Sequence, residues 1–82
     1  MSVRILYFAG LKEALGLAAE TVELPANADT VASVRDWLVT QGRDKLATAK
    51  NLRFAVNQEL ADLETPVKEG DEIAFFPPVT GG

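Results

Sequence analysis

Apolar and polar residues alternate at both ends of the chain, with a single helical stripe between. Val3, Ile5 and Tyr7 interleave with Arg4, Leu6 and Phe8, which predicts a strand carrying apolar groups on both faces. Leu11 and Leu15 lie four apart and are followed by Gly16, the pattern of a short helix with a glycine stop. From Glu20 to Leu24 the period returns to two, predicting a second strand that Pro25 ends. Asp29 or Thr30 then caps a helix whose buried stripe is Val31, Val34 and Leu38, with Trp37 on its flank and Gly42 at its end. Residues 43–51 are polar with one leucine and read as loop or a stray turn. Leu52 to Val56 predicts a third strand, Asn57-Gln58-Glu59 a turn, and Leu60 to Leu63 a brief pairing segment. Lys68-Glu69-Gly70-Asp71 is a turn signal, and Glu72 to Phe76 predicts the last strand.

Strand, strand, long helix, strand, short strand, strand is an α+β order, with one main helix packed on one face of a mixed sheet. The first and last strands are the most apolar, which fits them lying side by side at the sheet centre. That is the arrangement of the ubiquitin-like β-grasp fold, here a domain over residues 1–76 with an extended C-terminal tail at 77–82. If the helix covers one face, parity assigns Val3, Ile5, Tyr7, Val22, Leu24, Phe54, Val56, Ile73 and Phe75 to the core. The opposite parity puts Leu6, Phe8, Ala55, Ala74 and Phe76 on the uncovered face, with Leu60 a further candidate. Either a loop or the helix at 11–15 covers them, or they form a docking surface for another protein.

Eighty-two residues make one domain, with no room for a deep catalytic cleft. A net charge of -4 without a basic stripe argues against nucleic acid and favours a partner with a positive docking face. With neither Cys nor His, the chain lacks thiolate chemistry, the usual zinc ligands and the commonest general base, so no metal site is expected. Carboxylates cluster at Glu59, Asp62 and Glu64 and again at Glu69, Asp71 and Glu72, and both groups read as solvated surface charge. No apolar run approaches a membrane span and no secretory signal is evident, so a soluble cytoplasmic protein is expected.

The end of the chain, FFPPVTGG, is less ordinary. Phe76 closes a strand, so the tail has a fixed root, and Pro77-Pro78 favours a stiff extended exit. The six residues Pro77, Pro78, Val79, Thr80, Gly81 and Gly82 reach ~20 Å at most. Without Cβ atoms, Gly81 and Gly82 can carry a terminal carboxylate through a channel too narrow for side chains. An ATP-dependent partner can convert such a carboxylate to an acyl-adenylate and pass the acyl group to an amine, a thiol or sulfide. The tail then serves as a reactive arm for other proteins' active sites, and the domain itself is not catalytic alone.

GDEIAFFPPVTGG, from Gly70 to Gly82, resembles the C-terminus of the MoaD family, the small sulfur-carrier subunits of molybdopterin synthase. VRILYFAGLKEALG is similar to the family's opening strand and short helix, and FAVNQELADLETPVKEGDEIAFFPP to its last third. The resemblance implies that Gly82 is adenylated by a ubiquitin-activating-like enzyme using ATP and Mg²⁺, then converted to a thiocarboxylate through a sulfur donor system. It implies that the tail, Pro77 to Gly82, threads into the large subunit of a heterotetrameric synthase and gives its sulfur to cyclic pyranopterin monophosphate, forming the molybdopterin dithiolene. It places partner contacts on Phe8, Leu60 and Phe76, and no cofactor on this chain. A terminal Gly-Gly by itself also fits sulfur carriers for thiamine or tRNA thiolation, and a ubiquitin-like protein modifier.

Overall fold

The first and last strands of the chain lie side by side in the middle of one sheet. The computed structural model describes residues 1–49 and 51–78. Its elements are β1 (Ser2–Tyr7), α1 (Gly10–Leu15), β2 (Ala19–Glu23), α2 (Val31–Thr40), α3 (Lys45–Thr48), β3 (Arg53–Val56), β4 (Glu59–Ala61) and β5 (Glu72–Phe76). The strands lie in the order β2-β1-β5-β3-β4. β1 and β5 run parallel, with Ile5 opposite Ile73 and Tyr7 opposite Phe75, and the other pairs are antiparallel. This is the mixed sheet and main helix of the β-grasp arrangement expected from the alternation.

The core follows parity. Val3, Ile5, Tyr7, Phe54, Ile73 and Phe75 meet Val31, Val34 and Leu38 of α2 in one buried cluster, joined by Leu11, Leu24 and Leu46. Phe75 stacks on Tyr7 at 6.2 Å between ring centroids and meets Phe54 edge-on at 5.8 Å. Val22 and Val56, expected in the core, are only half-buried and pack at its margin. Val22 lies on an outer strand, and Val56 ends β3 at the hairpin turn.

Thr30, rather than Asp29, caps α2. Its Oγ1 accepts from the Ser33 N–H at 3.2 Å, and its own N–H donates to Ser33 Oγ at 2.9 Å. The next unpaired donors of the helix start are taken by the loop before β5: Val31 N–H reaches Thr65 O at 3.0 Å and Ala32 N–H reaches Leu63 O at 2.9 Å. Gly16 adopts the left-handed conformation expected of a glycine stop, φ 74°.

Three expectations need correction. Residues 43–51 are not only loop: α3 forms because Leu46, their one leucine, is buried at 2% exposure. β4 stops at Ala61 instead of running to Leu63, because the Asp62 carboxylate accepts from the Glu64 N–H at 2.9 Å and from Thr65 Oγ1 at 3.2 Å, turning the chain. Asp71 is not a solvated charge. It is 5% exposed, and its carboxylate accepts from Asn57 Nδ2 at 3.0 Å and from the Lys68 N–H at 2.9 Å.

Candidate docking face and tail root

The face of the sheet away from α2 carries a continuous apolar row. Ala19, Leu6, Ala74, Ala55 and Leu60 stand opposite one another across all five strands. Cross-strand partners share a face, so the row is a consequence of register alone. Leu60 is 83% exposed. Ala55 and Ala74 are buried yet lie outside the core cluster, being short side chains flanked in the row by leucines. Leu6 is half-buried.

A second row begins where the tail leaves. Phe8 follows the Tyr7–Phe75 pair and Phe76 follows it on the neighbouring parallel strand, so the two rings project from the same end of the same face. Phe8 N–H donates to Phe75 O at 3.2 Å, extending the ladder one residue past β1. Phe8 is 47% exposed and Phe76 half-buried. Ala9 then turns the chain into α1 with φ 54° and ψ −129°, a conformation that normally belongs to glycine. Phe76 leads into Pro77 and Pro78, both half-buried. Phe8, Leu60 and Phe76, separated by up to 68 positions in the chain, therefore share one face beside the tail root. Val79, Thr80, Gly81 and Gly82 lie outside the described residues.

Beneath Phe8, on the core side of β1, the Tyr7 hydroxyl donates to Glu20 Oε2 at 2.7 Å. Arg43, from the loop after α2, grips the same carboxylate with Nε at 2.9 Å and Nη2 at 2.6 Å. These charged hydrogen bonds from Arg43, with that from Tyr7, hold the Glu20 carboxyl below its usual range against the opposing effect of burial. Burial, then the Glu20 contact, pushes the Tyr7 hydroxyl up. The cluster ties β1, β2 and the end of α2 together at the sheet end from which the tail departs. Nothing in residue spacing announces it, since Glu20 and Arg43 are 23 positions apart.

The rim of the face has its own chemistry. Arg4 stands opposite Glu72, whereas Arg53 stands opposite Phe76. A groove of about 620 Å³ follows the β3–β4 edge, lined among others by Arg53, Leu60, Leu63 and Glu64. Open-face parity could have found Arg53, but Leu63 sits in a turn where periodicity is silent. Among the described residues no group of three or more acidic, His or Cys side chains is placed to hold a metal, and no helix is long and apolar enough to cross a membrane.

Similar proteins carry the same layout. The molybdopterin synthase sulfur carrier subunit of Haemophilus influenzae is 46% identical over 83 residues, covering 98% of this chain and 99% of that protein. The crystal structure of SAMP1 from Haloferax volcanii superposes with a TM-score of 0.79 at 30% identity, covering all of both chains. A chain from the complex of subunits 1 and 2 of molybdopterin-converting factor from Helicobacter pylori matches with a TM-score of 0.68 at 28% identity, again over the whole of both chains. The model of the ThiS family matches residues 5–82, and with these full-length relatives it establishes that the chain belongs to the ThiS family.

Proposed function

We propose that this protein is the sulfur carrier of molybdopterin synthase, a protein co-substrate that brings sulfur on its C-terminus and has no turnover alone. The observation that carries this reading is the convergence of Phe8, Leu60 and Phe76 on one face adjoining the tail root. A partner that grips the face thereby fixes where the tail enters. The full-length likeness to a molybdopterin synthase sulfur carrier subunit, and to a subunit seen in complex with its converting-factor partner, supports the same choice.

In this mechanism a ubiquitin-activating-like partner binds the face and directs the Gly82 carboxylate onto the α-phosphorus of Mg-ATP. Pyrophosphate leaves and an acyl-adenylate forms. Hydrosulfide delivered by the donor system attacks the acyl carbon, AMP departs, and a thiocarboxylate remains. The large synthase subunit then takes the same face, in a heterotetramer, and the tail from Pro77 to Gly82 presents the thiocarboxylate to cyclic pyranopterin monophosphate. Transfer of the sulfur, with water supplying the oxygen, returns the carboxylate. ATP and Mg²⁺ belong to the activating enzyme, and the cycle runs in the cytoplasm where ATP is supplied. The carrier contributes reach, a stiff root and a docking surface.

A second reading has one observation in its favour, the likeness to SAMP1, also described in a solved structure as small archaeal modifier protein 1. A modifier uses the same adenylate but passes the acyl group to a lysine amine. One experiment separates the two. After incubation with the activating partner, Mg-ATP and a sulfide source, intact-mass spectrometry should show one oxygen replaced by sulfur, lost on deletion of Gly82. Isopeptide adducts without that mass change would replace the carrier reading by the modifier reading.

A further inference from the structure

The described residues form three ion pairs: Met1 amine with Glu23, Arg35 with Asp36, and Arg43 with Glu20. Arg53 is in none of them, and its guanidinium makes no hydrogen bond within the described part of the chain. Its neighbours explain why. Directly across β5 stands Phe76, which offers no acceptor. On the other side, Asp62 would be next in register but its carboxylate is engaged by the Glu64 N–H and Thr65. Glu64, which shares the groove, is not within ion-pair distance. Arg4, the other arginine of the open face, also forms none of these ion pairs, but a carboxylate, Glu72, stands opposite it in register, whereas Arg53 faces an apolar ring.

Cross-strand partners on one face sit with Cβ atoms about 5 Å apart. A surface that covers Phe76 therefore covers or abuts Arg53. Five N–H donors and a permanent charge cannot be stripped of water without replacement, and the planar fork of a guanidinium matches a carboxylate. Resting on the carrier reading above, we infer that Arg53 is the orienting charge of the docking face: it pairs with a carboxylate on the large synthase subunit, beside the pocket that receives Phe76. The apolar row supplies contact area but little direction along the sheet. Arg53, opposite Phe76 in the row beside the tail root, sets the register in which the tail root meets the partner.

The test measures binding of the full-length protein to the large synthase subunit across a salt series, for wild type, Arg53→Met, Arg53→Glu and Phe76→Asp. Methionine keeps an apolar stem on an exposed strand position, and a circular-dichroism melt confirms each fold. Arg53→Met is expected to bind about fivefold more weakly at low salt and Arg53→Glu roughly tenfold or more, with both deficits narrowing as salt rises. Arg53→Met binding as tightly as wild type, with an unchanged salt slope, overturns the inference while Phe76→Asp still confirms the face. If Phe76→Asp also binds normally, the docking reading falls with it.

Discussion

Replacing Arg43 by Met tests the buried charge cluster most directly. The substitution removes two charged hydrogen bonds from Glu20 and leaves its carboxylate with only the Tyr7 hydroxyl. The two side chains are 28% and 15% exposed, Arg43 and Glu20 respectively, so the pair sits between a surface ion pair and a fully buried one. Surface pairs contribute under about 1 kcal/mol, whereas breaking a buried pair costs about 3–5 kcal/mol. The intermediate position gives an expected loss of about 2 kcal/mol at pH 7, roughly 8–16 °C in Tm for a domain of this size. Because the Glu20 carboxyl is held low in the folded state, its contribution is complete above the unfolded carboxyl range. It is lost as pH falls through the lowered folded value. The penalty of Arg43→Met should therefore be full at neutral pH and shrink in acid, where wild type loses the same contribution. Urea unfolding of both proteins between pH 7 and pH 3 measures it. A loss below about 0.5 kcal/mol at pH 7, or one that does not diminish in acid, would refute the cluster as a stabilising unit.

Tyr7 supplies the opposite sign. Its hydroxyl titrates higher in the folded state, so stability should fall as pH rises past the ordinary tyrosine range, and Tyr7→Phe should flatten that alkaline limb in urea titrations. Asn57→Ala removes both side-chain bonds to the β5 entry and leaves buried Asp71 with the Lys68 N–H alone. A loss of about 2–3 kcal/mol is expected, and Asn57→Gly, which keeps the left-handed turn, should cost less. Ala9→Gly should stabilise by about 1 kcal/mol net, the relief of its glycine-like backbone exceeding the added freedom of the unfolded chain, read as a rise in Tm. Phe8→Asp should weaken partner binding in calorimetry with the melt unchanged, whereas unfolding would mean that Phe8 is core.

The sheet was legible because its central strands are buried by strict parity: once Ile5 and Ile73 face inward, Leu6 and Ala74 cannot. The open face was legible for the same reason, and the three residues on which the resemblance places partner contacts, Phe8, Leu60 and Phe76, lie on it. What escaped depended on contacts between distant segments. Nothing local separates Asp71 from Glu69 and Glu72 in the run KEGDE, and its burial exists only because the Asn57 turn folds over it. Glu20 and Arg43 are equally plain in isolation. Leu46 gave too short a signal, one apolar residue in a polar stretch, for α3 to be expected. The modest exposure of Ala55 and Ala74 reflects their size rather than their side of the sheet.

The position of β5 between β1 and β3 also constrains how the molecule comes into being. Without β5 the sheet separates into two hairpins, β1–β2 and β3–β4, and two-stranded ribbons of this length are marginal in water. The pairing of Arg4 with Glu72 joins the two extremes of the domain, a long-range closure that makes folding slow to begin and late to complete. During synthesis the amino-terminal hairpin and α2 must wait, apolar side exposed, until the segment that roots the tail has emerged. A folded domain is thus itself proof that the strand rooting the tail is in place, so any partner that recognises the assembled face is spared unfinished chains.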